Sequence, residues 1–144
     1  MADRSARRER RREAIRQKLQ DSATDYIEPG ETIQLWVLGM TGPIPTNGID
    51  GLVNLVRWAA GTSRPAGVLL TDRAVHVART GWFRSKVREL QASYPLNTNP
   101  PRVDFVQTSS IRGSITVNDD VVYLPTVQLE PAQELVHAVR GIEL

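Results

Sequence analysis

The sequence contains no cysteine, so neither a disulfide nor a thiolate zinc site can hold it together. That absence is compatible with a reducing compartment. Only two histidines are present, His76 and His137, and neither H-x-x-H nor H-E-x-x-H occurs, so the spacing of a histidine metal site is missing. There is no G-x-S-x-G and no phosphate-binding P-loop. No apolar run approaches the roughly 18–20 residues of a spanning helix. The basic start leads into Gln17-Lys18-Leu19-Gln20-Asp21 rather than an apolar stretch, so a secretory signal is not expected. These absences point to a cytoplasmic protein without cofactor, metal or small-molecule substrate.

What is present is ordinary for a folded domain. The chain has 144 residues, 40% hydrophobic and 24% charged, which suits one core and one domain. The net charge of +2 is unevenly spread. Residues 1–20 carry eight basic groups (Arg4, Arg7, Arg8, Arg10, Arg11, Arg12, Arg16 and Lys18) against three acidic ones, a net of +5. The other 124 residues carry ten basic and thirteen acidic groups, a net of −3. Any attraction to an acidic polymer must therefore come from the arm, because the body has no overall positive field.

Residues 4–25 are rich in good helix formers. Ile15, Leu19, Ala23, Tyr26 and Ile27 make an apolar stripe in the second half, so that half should dock while the first projects. Glu28-Pro29-Gly30-Glu31 ends the helix with a turn. Residues 32–38 alternate as a strand, Ile33, Leu35 and Val37 opposite Gln34, Trp36 and Leu38. Residues 39–48 read as a loop. A three-turn helix is expected over 49–60, with Ile49, Leu52, Val53, Val56 and Ala60 on one face.

Beyond it the pattern turns to strands. Residues 66–70 and 74–79 form a hairpin around Thr71-Asp72-Arg73, followed by strands at 82–91, 103–107, 114–118 and 121–124. Asn118-Asp119-Asp120 suits the tight turn joining the last two. Residues 131–141 form a helix that opens on Pro131 and presents Ala132, Leu135, Val136, Val139 and Ile142 on one face. The predicted class is α+β, mainly β. About seven short antiparallel strands make a bent barrel or sandwich capped by the C-terminal helix, with a basic N-terminal helix and a short inserted helix.

Several stretches carry a resemblance: the Val68–Val77 hairpin around Thr71-Asp72-Arg73, the Pro29-Gly30-Glu31 turn, the basic strand from Arg79 to Leu90, the strand pair 113–124 and the terminal helix around Leu135. Together, over residues 28–142, they resemble bacterial pleckstrin-homology-like (PH-like) domains. The resemblance implies a bent antiparallel barrel closed at one end by the last helix. It divides the chain into a basic extension at 1–27 and a PH-like domain at 28–144, with an insert at 41–65. It also favours a self-associating or partner-binding module. Phosphoinositide-binding relatives use basic residues in the loop after the first strand. Here that loop offers only Arg57 and Arg64, so that activity is not carried over.

The candidate surfaces follow from these patterns. Arg84, Lys86 and Arg88 alternate onto one strand face with Trp82, and Arg79 lies across the turn. This ribbon is either a solvated outer face or a contact for phosphates, bases or a membrane surface. In the 49–60 helix, Leu52, Val56, Arg57 and Trp58 suit packing on protein better than membrane attachment. The arm is either a solvated helix or a phosphate-neutralising one. His76, flanked by Val75 and Val77, is expected to face solvent, and no catalytic residue is expected. The resulting expectation is a non-enzymatic interaction module, forming homo-oligomers or binding a protein partner. The alternative is nucleic acid or an anionic membrane surface engaged by arm and ribbon, which would place the protein peripherally at the membrane.

Overall fold

In β2 (Pro65–Thr71) and β3 (Ala74–Thr80) nearly every side chain is buried, because helices cover both faces of this part of the sheet. The computed structural model describes residues 2–41, 64–81, 86–97, 101–109 and 112–142. The expected 49–60 helix, and with it Leu52, Val56, Arg57 and Trp58, lies outside the described residues, as do Trp82 and Arg84.

The chain opens with α1 (Ala2–Ala23). Strands β1 (Ile33–Met40), β2, β3, β4 (Val87–Pro95), β5 (Val103–Ser109), β6 (Arg112–Val117) and β7 (Asp120–Leu124) follow. A short 3-10 turn (Thr126–Gln128) then leads into α2 (Leu129–Ile142). All strand pairs are antiparallel, in the order β4-β3-β2-β1-β7-β6-β5. The α+β, mainly β class is as expected. The sheet, however, is open. Among the described residues β4 and β5 are its two edges and do not pair, so no closed barrel forms.

One face packs on α2. Val68, Leu70, Val75, Val77, Ile115, Val122 and Leu124 meet Ala132, Leu135, Val136 and Val139 there. Burying each Leu or Val is worth about 1.5–3 kcal/mol. Pro131 sits in the first turn of α2, where its missing N–H leaves no helical bond unmade. The opposite face of β1–β4 packs on α1: Leu19 and Ala23 meet Ile33, Trp36, Leu69, Ala78 and Val87. Ser22 Oγ also accepts the Val87 amide at 2.8 Å. The apolar half of α1 thus docks as its stripe predicts, while residues 5–14 are exposed.

Two expectations need correction. A register shift between Ile33 and Leu35 breaks the alternation of β1, so Ile33 shares the α1 side with Trp36 while Leu35 and Val37 face α2. A bulge changes which face a residue occupies, and beyond Gln34, where the shift falls, the apolar run of Leu35, Trp36 and Val37 does not reveal it. Among the described residues the fourth strand runs Val87–Pro95, past the expected end at 91, and residues 82–85 of the expected strand lie outside the described residues. Lys86 lies just before it, so the proposed alternation through Lys86 and Arg88 is carried only by Arg88 within the strand.

β1 joins the two parts of the sheet through a single register pair, Met40 with Tyr123. Gly39 permits this approach: a Cβ there would lie 2.1 Å from the Tyr123 carbonyl oxygen. The turn before β7 has Asn118 at φ 53, a left-handed position that Asn tolerates.

Candidate functional site

The corner after α1 and the β2–β3 turn are bonded residue for residue. Thr71 Oγ1 donates to Glu31 Oε2 at 2.5 Å. Asp72 Oδ1 accepts the Thr32 amide at 2.9 Å. Arg73 donates to Glu28 Oε2 at 2.9 Å. Thr71 Oγ1 also accepts the amides of Arg73 and Ala74 at 3.1 and 3.0 Å, which shapes the turn itself. Gly30, at φ +84, lets the corner fold tightly enough to present Glu31. From α1, Gln20 fixes the backbone on both sides of Thr32: Nε2 donates to the Glu31 carbonyl and Oε1 accepts the Ile33 amide, each at 2.8 Å.

Glu31 and His76 are each only 4% exposed. His76 Nε2 lies 2.5 Å from Glu31 Oε2, and its Nδ1 lies 2.7 Å from Ser93 Oγ. Ser93 is the register partner of His76 on β4, and it is exposed. The result is a continuous line of hydroxyl, imidazole and carboxylate running from solvent into the interior. This overturns the expectation that His76 faces solvent. The alternation was right in putting His76 opposite Val75 and Val77, but that face is covered by the α1 corner.

Burial by itself pushes the Glu31 carboxyl up. The Thr71 hydroxyl, the His76 ring, the Glu28 amide and the His76 charge together outweigh it and hold Glu31 below the ordinary carboxylate range. An ionised Glu31 can only accept, so Nε2 carries the ring proton and donates a hydrogen bond to it. In the neutral ring Nδ1 then offers a lone pair, which the Ser93 hydroxyl donates to. That arrangement can pass a proton from Ser93 to the ring. The cluster borders a cleft of about 400 Å³ lined by Tyr26, Arg73, His76, Ser93, Leu96 and Asn97 among others.

The other candidate residues lie elsewhere. Arg79 pairs with Glu89 at 3.1 Å. Lys86 and Arg88 are exposed. Arg79 and Arg88 share a second, shallower depression of about 320 Å³ with Arg64 and Glu89. On the arm, Arg7, Arg8, Arg10, Arg11, Arg12 and Lys18 are exposed, and Arg4 lies in α1. Arg16 bonds Glu13. Arg12 lies 5.4 Å from the centre of the Trp36 ring and 3.9 Å from Glu134. Among the described residues no cluster of three histidine or acidic side chains could hold a metal ion, and no helix is long and apolar enough to cross a membrane.

Ser93 and Glu31 were missed as site residues. The available signal was the placement of one histidine inside the otherwise apolar β3, since a buried imidazole needs partners. Neither a protein-family model nor a curated protein matches the chain.

Proposed function

We propose that the chain is a protein-interaction module of the bacterial PH-like type that associates with a second copy of itself. The order of the antiparallel strands and the terminal helix packed on them support the PH-like reading. One observation carries the association: the two parts of the sheet are covered unequally. The outer face of β1–β4 lies under α1, but among the described residues no helix lies over that of β5–β7. There Val106 is 50% exposed and Val121 37%. Register places them on one face with Ser114, Thr116 and Tyr123. Among the described residues β5 is also an edge of the sheet, and an edge strand beside exposed valines invites strand addition.

The occupant is a second copy because the chain is complementary to itself. An arm of net +5 and a body of net −3 attract each other between molecules. Light scattering on the full chain tests this. A dimer or larger assembly is expected, lost in Val106→Asp and weakened by salt. A wild-type chain that stays monomeric at high concentration overturns it.

A second reading rests on a separate observation. Among the described residues Arg7, Arg8, Arg10 and Arg11 are bonded to no carboxylate, and all are exposed. Such a helix face would neutralise phosphates of an acidic polymer or surface. Retention on random duplex DNA or on anionic vesicles at low salt, falling steeply with added salt, would favour it. No retention at low salt eliminates it.

A further inference from the structure

We propose that Ser93 is an activated nucleophile, with His76 as its general base and Glu31 positioning the ring, and that the site accepts small acyl esters. This goes beyond the interaction reading, is independent of it, and departs from the expectation that the chain is not an enzyme.

Three features on different elements converge. The distances, 2.7 Å from Ser93 to Nδ1 and 2.5 Å from Nε2 to Glu31, set nucleophile, base and orienting carboxylate in hydrogen-bond reach. The carboxylate and imidazole are buried, whereas the serine is exposed. The ring is therefore fixed in a site shielded from water, and the attacking oxygen remains reachable. The serine opens on the cleft shared with Asn97, a donor for a carbonyl oxygen, with Arg73, whose guanidinium is paired to Glu28 but carries further N–H groups, and with Tyr26 and Leu96, apolar surface for a short acyl chain.

The step balances without any added reactant. Ser93 Oγ forms a bond to the ester carbonyl carbon as its proton passes to Nδ1. The tetrahedral adduct collapses, the C–O bond to the alcohol breaks, and the alcohol leaves with the proton from Nδ1. Water then attacks the acyl-serine, giving its proton to Nδ1. The carboxylic acid is released and Ser93 takes the proton back. Throughout, Glu31 stabilises the imidazolium and receives no proton.

The same bonds would also serve a purely structural clasp, so the test reads chemistry. The full chain is incubated with p-nitrophenyl acetate and, separately, with a fluorophosphonate, then examined by intact mass and peptide mapping. One acyl or phosphonyl group on Ser93 is expected, absent in Ser93→Ala. His76→Gln should slow acylation by about 10²-fold or more, and Glu31→Gln should both slow it and alter its pH profile. Because His76 and Glu31 are buried and their variants can fail to fold, Ser93→Cys provides a second measure. The introduced thiol should alkylate with iodoacetamide well below the ordinary thiol pKa of about 8.5. No adduct, an adduct on another residue, or a thiol that reacts as an ordinary one overturns the proposal.

Discussion

Glu31 and His76 stand forty-five positions apart in the chain, yet their side chains meet at 2.5 Å in the interior. Each is buried, so neither can exchange its partner for water. The pair is a buried member of the set of bonds by which the α1 corner grips the β2–β3 hairpin.

Removing both members should therefore cost less than the two single removals added together. Glu31→Ala strips the ring of its acceptor and is expected to lower stability by about 3–5 kcal/mol. Glu31→Leu combined with His76→Leu should cost less than the sum of the two single changes, with a coupling of about 0.5–3 kcal/mol. Urea unfolding of the wild type, Glu31→Leu, His76→Leu and the double variant checks this. Additive losses would show that the contact stabilises nothing.

Acid should weaken the fold through the same residue. The Glu31 carboxyl is held below its ordinary 4.5 in the folded state. Its contribution is therefore fully present above about that pH and lost as pH falls through the folded value. Urea midpoints measured downward from neutral pH should drop below pH 4.5. Glu31→Gln, less stable throughout, should show a shallower drop over that window.

At the seam between the two parts of the sheet, Gly39→Ala is expected to be disproportionately costly. The added methyl would lie 2.1 Å from a backbone oxygen, which no rotamer change relieves. A loss of about 1–3 kcal/mol or more is expected. Gly67→Ala, whose added methyl would lie 3.0 Å from the Leu38 side chain and 3.1 Å from the Val37 carbonyl oxygen, should cost less. Equal losses would argue against a tight seam.

The two halves of α1 should respond to mutation in opposite ways. Leu19 is fully buried against the sheet, so Leu19→Ala should cost about 2–5 kcal/mol. Arg7→Ala and Arg11→Ala, both on the exposed half, should stay within about 0.5 kcal/mol. Thermal unfolding resolves the difference.

How far the sequence was legible follows from where its information is local. The Thr71-Asp72-Arg73 turn, the α2 stripe of Leu135, Val136 and Val139 and the docking of Leu19 and Ala23 were all readable, because each rests on period and turn chemistry within a few residues. The clasp was not, because it depends on Glu31 and Ser93 arriving beside His76 from distant segments. Alternation names the face a side chain occupies, not what covers that face. The bulge in β1 was invisible for a related reason: it falls at Gln34, and Leu35, Trp36 and Val37 after it are all apolar, so neither phase is marked by a polar residue on one face.

Helix α1 has 22 residues, so it measures roughly 33 Å end to end. Leu19 and Ala23 seat its rear half while its arginine-bearing front stays exposed. It behaves as a fixed strut, not a tether: whatever grips its tip is held at a set distance and bearing from the sheet. Lengthening or shortening the front by two residues would swing the arginines by about 200° around the axis, changing which direction the protein can reach without altering a single contact in its interior.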